Sequence, residues 1–152
     1  MDKIYIGSDH GGFELKQGLL EMLRLWGYAP VDMGPYKYDR EDDYVDFAQK
    51  VCKRILDDAG RGILICRSGH GMAIAANKFP GIYASVCWSS NSAKSGKKDD
   101  NINVICLPAD LITKEEAAGA VKAWLETPFE SAERHMRRLG KVREIEKRNF
   151  GH

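Results

Sequence analysis

The chain has 152 residues, with 23 basic and 22 acidic side chains and a formal charge of +1 at pH 7. This length suits one domain with a single core, and the balanced charge does not favour a nucleic-acid or membrane surface. No apolar run approaches the roughly 20 residues of a membrane-spanning helix. We therefore expect one domain over residues 1–152, without nucleic-acid or membrane partners.

Strands and helices alternate through the first part of the chain. An apolar run predicts a strand over 4–8, followed by a polar loop with two glycines and a helix over 13–26. A short strand over 29–33 leads into a loop over 34–43, which holds a proline, two tyrosines and several charges. Apolar residues at helical spacing then predict a helix over 44–59, which a glycine terminates.

The centre of the chain holds a strand that ends in a cysteine. The run Gly-Ile-Leu-Ile-Cys at 62–66 is short and apolar, which is typical of a strand buried on both faces of a parallel sheet. The loop over 67–71 contains two glycines and opens a helix predicted over 72–78. Backbone N–H groups at such a helix N-terminus favour developing negative charge.

Cys66 lies at the carboxyl end of this strand, where open α/β sheets place their ligands. A thiol in that position can act as a base or a nucleophile. The alternative interpretation is a buried core cysteine, which is the commoner state of a lone cysteine. The residues around Cys66 decide between these two interpretations.

The second half of the chain continues the alternation. A strand over 82–87 precedes a lysine-rich segment over 89–100, predicted as a short helix entered from a serine, and a proline stops the next strand over 104–107. A Thr-Lys-Glu-Glu capping box opens a helix over 113–126, and a charged last helix covers 131–149. Strands that alternate with helices pair in parallel through right-handed crossovers. The predicted fold class is α/β: a three-layer α/β/α, Rossmann-like domain with a five-stranded parallel sheet and a C-terminal helix.

The four cysteines follow apolar neighbours and have no Cys-x-x-Cys spacing. This pattern favours reduced thiols over a zinc site or a disulfide framework. Residues 1–3 lead directly into the first strand, without the charged, apolar and cleavage regions of a secretory signal. Both features predict a cytoplasmic protein.

Several known phosphate and nucleophile motifs are absent from the sequence. It contains no Walker loop, and the glycines of the central loop lack the third glycine of a dinucleotide fingerprint. A low-molecular-weight phosphatase loop would need arginine at Met72, and a receiver domain would need aspartate at Cys66. Ser68 has no marked base in a Ser-His-Asp order.

Four polar groups remain after these exclusions. They cover residues 8–13, 66–71, 99–101 and 134–138. Because the strand-end loops of a parallel sheet meet at one edge, we expect the four groups to converge there into one site.

The motifs in these groups share one order and spacing over most of the chain. They are Ser-Asp-His-Gly-Gly-Phe-x-Leu-Lys at 8–16, Asp-Tyr at 43–44, Gly-Ile-Leu-Ile-Cys at 62–66, Ser-Gly-x-Gly-Met-x-Ile-Ala-Ala-Asn-Lys at 68–78, Gly-Ile at 81–82, Asn-Val at 103–104, Thr-Pro-Phe at 127–129 and Arg-His at 134–135. Together they resemble the ribose-5-phosphate isomerase type B and galactose-6-phosphate isomerase family, from Ile4 to about Arg148.

The resemblance implies aldose–ketose isomerisation of a sugar phosphate through a cis-enediolate, without a metal or other cofactor. Cys66 would move the proton between C1 and C2, and loop amides would hold the developing oxyanion. The implied catalytic residues are Cys66, Ser68, Gly69, Gly71 and Asp99. The implied substrate-binding residues are Asp9, His10, Tyr44, Arg67, His70, Asp100, Asn101, Arg134 and Arg138. Family members build each site from two chains, so a homodimer or dimer of dimers is expected, with sites at the subunit interface.

Some of these residues have a simpler structural interpretation. Asp9 and His10 could cap the first helix, since aspartate is a preferred N-cap residue. Arg137, beside the implied phosphate ligands, is predicted to lie on a solvated helix face.

Three positions depart from the family pattern. Arg67 stands where the loop has glycine, Asp99 where the family has its ring-opening histidine, and Asp110 where the partner subunit often supplies a phosphate-binding arginine. Either Asp99 or His70 then opens the sugar ring, or the substrate needs no opening, as for a tetrose 4-phosphate. The departures predict a substrate other than ribose 5-phosphate, such as an atypical pentose, tetrose or hexose phosphate. The alternative function is a non-catalytic sugar-phosphate-binding subunit of a heteromeric isomerase.

Overall fold

The computed structural model of the protein describes residues 3–151 as five strands, six α-helices and one 3₁₀ turn. The strands are β1 (Ile4–Ser8), β2 (Pro30–Asp32), β3 (Arg61–Cys66), β4 (Ala84–Val86) and β5 (Val104–Pro108). The helices are α1 (Phe13–Leu25), α2 (Tyr44–Asp58), α3 (His70–Ala76), α4 (Ser90–Asp100), α5 (Lys114–Glu126) and α6 (Glu133–Phe150), and the 3₁₀ turn (His10–Gly12) precedes α1. In this part of the chain, no helix combines the length and the apolar character needed to cross a bilayer.

The five strands form one parallel sheet in the order β2-β1-β3-β5-β4. Side chains alternate between its two faces, as the pleat of a strand requires. In β3, Ile63 and Ile65 pack with α1, α4 and α5, whereas Leu64 and Cys66 pack with α2 and α3. The predicted three-layer α/β/α architecture is confirmed, with a buried core on each face of the sheet.

Side-chain caps explain where α4 and α5 begin. Thr113 Oγ1 accepts a hydrogen bond from the Glu116 amide at 3.0 Å, and Glu116 Oε1 accepts one from the Thr113 amide at 3.2 Å. Ser89 and Ser92 exchange the same pair of bonds at 3.1 Å each, so the lysine-rich segment is a full helix entered from Ser89. Both caps satisfy amides that a helix N-terminus otherwise leaves unpaired.

Several boundaries differ from the sequence prediction by one or two residues, and two of them have a clear local cause. The helix α3 begins at His70, two residues early, because Gly69 already serves as its N-cap. The strand β4 covers three residues rather than 82–87, because the Ile82 amide donates to Phe79 O at 3.0 Å and closes a turn.

The C-terminal helix α6 lies across the amino ends of the strands. Just before its start, the Glu130 amide donates to Lys98 O in α4 at 2.9 Å. Towards its end, Glu146 Oε1 accepts from the amide of Gly81, which precedes β4, at 2.7 Å. Only two residues of α6 are buried, so most of its surface is exposed.

Candidate active site

Cys66 is the last residue of β3 and is 5% exposed. The Gly69 amide donates a hydrogen bond to Cys66 Sγ at 3.2 Å, and the Cys66 carbonyl accepts one from the Ala109 amide at 2.9 Å. The first bond places a fixed backbone dipole beside the sulfur, which stabilises negative charge there. The second ties the strand end to the segment after β5.

The glycines at 69 and 71 shape the loop after Cys66. Gly69 has a φ of +77°, a left-handed conformation that a side chain would strain, and it lets the chain turn its amide back to the sulfur. Gly71 faces the Tyr44 ring so closely that a Cβ would fall 2.7 Å from a ring carbon. Ser68 Oγ accepts the His70 amide at 3.3 Å. The structure therefore brings Tyr44 and this loop together, as the predicted site requires.

The other three thiols are held in their neutral form by burial. Burial raises the pKa of Cys52 to about 12. Burial also raises the pKa of Cys87 to about 11, although hydrogen bonding with Ser85 and Ser92 opposes this shift. Burial, reinforced by the neighbouring thiols, raises the pKa of Cys106 well above its usual range. These thiols are expected to be inert at neutral pH.

We expect an alkylating reagent to modify Cys66 faster than Cys52, Cys87 or Cys106 in the native protein at pH 7. The reason is that, among residues 3–151, Cys66 is the one cysteine whose sulfur accepts a backbone hydrogen bond, and it lies at the start of the loop over 67–71. Mass spectrometry of iodoacetamide-treated protein after digestion gives the four rates. Modification of Cys52 or Cys87 first would contradict this ranking, and denatured protein, in which all four should react alike, is the control.

Asp9 has a structural role in the turn after β1. Its Oδ1 accepts the Gly12 amide at 3.2 Å, and its own amide donates to Ile65 O at 3.2 Å. Burial raises the pKa of this carboxyl, although its hydrogen bond from Gly12 opposes the shift. Asp9 therefore caps the 3₁₀ turn, and it fixes that turn against the residue before Cys66.

His10 is held by a residue that the sequence analysis did not identify. Asp42 Oδ1 accepts both the His10 amide, at 2.9 Å, and His10 Nδ1–H, at 2.8 Å. The His10 ring also meets the Tyr38 ring edge to face, with 6.1 Å between centroids. Nothing in the sequence singles out Asp42, because the loop over 34–43 carries several acidic residues.

Two of the departures from the family pattern contact one another. Arg67 and Asp110 form an exposed ion pair at 3.3 Å, and the Asp110 amide donates to Arg67 O at 2.9 Å. The Arg67 side chain lies over Gly11, where a Cβ would fall 2.5 Å from Arg67 Cγ. The charge of Asp110 is therefore compensated within the same chain.

Two of the remaining predicted residues, Asp99 and Arg134, lie in a second group around His135. This buried histidine directs Nε2 to Asp99 Oδ1 at 3.5 Å, and its Nδ1 lies 2.8 Å from Glu130 O. Arg134 pairs with Glu130 at 3.2 Å, and Arg138 is exposed on α6. The exposed pairing of Arg137 with Glu133 matches the solvated face predicted for it.

The predicted convergence of all four polar groups at one sheet edge is wrong within a single chain. Asp99, Asp100 and Asn101 precede β5, and residues before a parallel strand lie at its amino edge, whereas Cys66 lies at the carboxyl edge. Asn101 accordingly lines a cavity of about 480 Å³ with Arg61, the first residue of β3. At a rise of about 3.3 Å per residue, β3 separates the two edges by about 17 Å.

Two sets of side chains have the proximity that a bound cation would need. They are Asp9, His10 and Asp42 at the carboxyl edge, and Asp99, Glu130 and His135 at the amino edge, with ligand atoms within 4.8 Å in each set. In the first set His10 Nδ1 already faces Asp42, and in the second set both nitrogens of His135 face a carboxylate or a backbone carbonyl. The arrangement suits hydrogen-bonded positioning of the histidines better than an open coordination site.

Comparisons with known proteins agree with this fold. A family model described as Ribose/Galactose Isomerase matches residues 4–142. Ribose-5-phosphate isomerase B of Mycobacterium tuberculosis is 38% identical over 146 residues, which cover 95% of this chain and 90% of the relative. The structure of Clostridium thermocellum ribose-5-phosphate isomerase B is similar with a TM-score of 0.92 and 39% identity, covering 96% of this chain and 98% of that one. Mycoplasma genitalium ribose-5-phosphate isomerase B, with bound ribulose-5-phosphate, has a TM-score of 0.92 and 38% identity over 95% of this chain and 96% of that one.

The parallel α/β fold, the strand-end cysteine loop and these matches define an enzyme of the aldose–ketose sugar-phosphate isomerase class. The chain belongs to the ribose/galactose isomerase family. The resemblance predicted from the ordered motifs is thereby confirmed over nearly the whole chain.

Proposed function

We propose that this isomerase domain, acting in the cytoplasm without a cofactor, interconverts a pentose 5-phosphate aldose and its ketose through a cis-enediolate. Cys66 is the base that carries the proton between C1 and C2. The observation that carries this assignment is the Gly69 amide 3.2 Å from Cys66 Sγ, at the start of a helix on the carboxyl edge of the sheet. The ribose-5-phosphate isomerase B relatives and the ribulose-5-phosphate complex support the substrate class.

The groups around Cys66 take the sugar end of the substrate. The amides of Ser68 and Gly71 hold the enediolate oxygens, because fixed N–H dipoles stabilise charge without reorganising, while the Gly69 and His70 amides already bond to Cys66 Sγ and Ser68 Oγ. Tyr44 forms a wall of the pocket against this loop. The side chains that contact the sugar from the same edge are Asp9, His10, Arg67 and His70.

A second copy of the chain completes the site. The phosphate ligands Arg134 and Arg138 lie with Asp99, Asp100 and Asn101 at the amino edge of the sheet, and the length of β3, about 17 Å, separates this edge from the edge that holds Cys66. A pentose phosphate cannot bridge that separation. A symmetric dimer that places α6 of one chain over the Cys66 edge of the other produces two equivalent sites.

Exposed apolar side chains support such an interface. They are Met136, Val142 and Ile145 on α6, and Tyr44 and Val45 at the start of α2. Burying them between two chains removes apolar surface from water on both elements that the shared site needs.

The Arg67–Asp110 pair removes one reason to expect an atypical substrate. Each departure alone suggested a displaced phosphate site, but their ion pair makes the two changes compensate each other. The phosphate then binds to the α6 arginines, whose planar guanidinium groups suit bidentate contacts to its oxygens.

We expect kcat/KM for ribose 5-phosphate to exceed that for erythrose 4-phosphate and for a hexose 6-phosphate by about tenfold or more. A site that holds the phosphate at one end and C1 at the other discriminates against chains shorter or longer by one carbon. Steady-state assays of the purified chain with the three substrates measure this order. A tenfold preference for erythrose 4-phosphate would instead support a shorter substrate that needs no ring opening.

A further inference from the structure

Arg67 connects the segments that follow three neighbouring strands. It comes directly after Cys66, the last residue of β3, and its side chain pairs at 3.3 Å with Asp110, two residues after the end of β5. The same side chain crosses Gly11 in the turn after β1, where a Cβ would fall 2.5 Å from Arg67 Cγ and 3.3 Å from Arg67 Nε. Because β1, β3 and β5 are adjacent in the sheet, one side chain reaches the ends of all three.

Arg67 and Asp110 hold each other at two points. The Asp110 amide donates to Arg67 O at 2.9 Å, and Arg67 Nη1 donates to Asp110 Oδ2 at 3.3 Å. The residues before them are also bonded, since the Ala109 amide donates to Cys66 O at 2.9 Å. These bonds continue the pairing of β3 with β5 past Cys66 and Pro108, where the two strands end. The backbone at Arg67 is therefore fixed to the segment after β5, and the loop over 67–71 leaves the sheet from this residue.

The position of the Gly69 amide depends on this attachment. Gly69 is two residues beyond Arg67, and its amide donates to Cys66 Sγ at 3.2 Å. The bond from the His70 amide to Ser68 Oγ, at 3.3 Å, lies within the loop itself and does not fix the loop to the sheet. Displacing a catalytic group by about 1 Å can lower a rate about a hundredfold. The attachment at Arg67 therefore matters for the reaction at Cys66.

The pair is too exposed to stabilise the whole fold. The side chains of Arg67 and Asp110 are 57% and 49% exposed. Water and salt screen such a pair, so it changes a local equilibrium by about fivefold at most. This factor is small against the stability of a domain, but it is large enough to shift the conformation of one loop.

We propose that the Arg67–Asp110 ion pair is a latch that holds the loop over 67–71 in the conformation active in isomerisation, an inference that rests on the proposed isomerase function. Asp110 is a positioning residue. It contacts Arg67, and through Arg67 it keeps the Gly69 amide at the Cys66 sulfur. The alternative role for Asp110 is repulsion of the substrate phosphate. The two roles predict opposite effects when the charge of Asp110 is removed.

Asp110→Asn removes one charge of the latch and leaves Cys66 and the sugar contacts in place. Its kcat for ribose 5-phosphate is expected to fall about two- to fivefold, with KM within about twofold of wild type, because the loop is displaced for part of the time. Arg67→Gln should show the same fall in kcat, together with a higher KM from its lost sugar contact. In the double variant kcat should fall no further, since both changes break one contact. Glu133→Gln, which breaks the comparable exposed pair with Arg137, is the control and should keep the wild-type kcat.

Salt and hydrogen exchange test the latch by two further routes. Raising KCl from about 0.05 M to about 1 M shortens the Debye length to about 3 Å and screens the pair. Wild-type kcat at saturating substrate should then fall to that of Asp110→Asn, whose own kcat should not change. Without substrate, the backbone amides of residues 67–71 should exchange with D₂O about two- to fivefold faster in Asp110→Asn than in wild type, as measured by mass spectrometry.

An unchanged or raised kcat in Asp110→Asn would overturn the proposal, and a raised kcat with a lower KM would assign Asp110 to repulsion of the phosphate. Additive losses of kcat in the double variant would overturn it as well, because they would mean that the two residues act separately. Equal hydrogen exchange of the loop in wild type and Asp110→Asn would do so even in a chain without activity. A wild-type chain that does not interconvert the pentose phosphates would instead contradict the proposed function, while faster exchange in Asp110→Asn would still support the latch.

Discussion

Replacement of Cys66 by alanine is expected to lower kcat for isomerisation by about two to four orders of magnitude, the usual cost of removing a catalytic base. The substitution removes one sulfur atom at the end of β3 and the hydrogen bond that it accepts from the Gly69 amide. The fold should survive because the bond from the Ala109 amide to the Cys66 carbonyl and the pairing of β3 with β1 and β5 remain. Substrate binding should change little, since the phosphate contacts lie elsewhere. Steady-state kinetics and a binding assay on the same preparation separate the two effects.

The matched control for this change is Cys52→Ala, which removes a thiol from the same core on the α2 side. Burial keeps Cys52 neutral, so its loss is expected to affect stability rather than kcat. Activity that persists in Cys66→Ala would assign the base to another residue, with His70 in the adjoining loop as the next candidate.

Removal of both α6 arginines is the second large effect that we expect. Arg134→Ala combined with Arg138→Ala should lower kcat/KM by about a hundredfold or more, because each charge-assisted hydrogen bond to a phosphate contributes about 1.5–3 kcal/mol. The loss should occur mainly in KM, since the phosphate is bound equally in the ground state and the transition state. Kinetics over a range of substrate concentrations measure both parameters.

Arg137→Ala is the control for that variant, because Arg137 lies on the same helix and pairs with Glu133 on the exposed face. Its kcat/KM is expected to stay close to wild type. Comparable losses in Arg137→Ala and the double variant would mean that the helix contributes only general positive charge.

The fold was predictable because it depends on patterns that are local in the sequence. Apolar runs at 4–8 and 62–66 are buried strands, and the capping box at Thr113 begins α5 where predicted. The strand-end position of Cys66 followed from the same patterns. The glycine at position 69 indicated a tight loop, and its positive φ is the physical reason for the residue.

The pairing of side chains across the site was not predictable, because it depends on contacts between distant segments. Asp42 lies 32 residues from His10, and Arg67 lies 43 residues from Asp110. The error over Asp99 has a different cause. The position of Asp99 just before β5 places it at the amino edge of its own chain, whereas the family resemblance assigns it to the site of Cys66. These two placements agree only when a second chain contributes its Asp99 to that site.

The kinetics of mixed dimers test most directly whether one site is built from two chains. A chain with Cys66→Ala and a chain with Arg134→Ala and Arg138→Ala can be expressed together with different tags, and the mixed dimer purified through both tags. Each parent should be nearly inactive. In the mixed dimer, one site combines the intact Cys66 of one chain with the intact arginines of the other, so roughly half of wild-type activity should return. A mixed dimer as inactive as its parents would contradict the shared site.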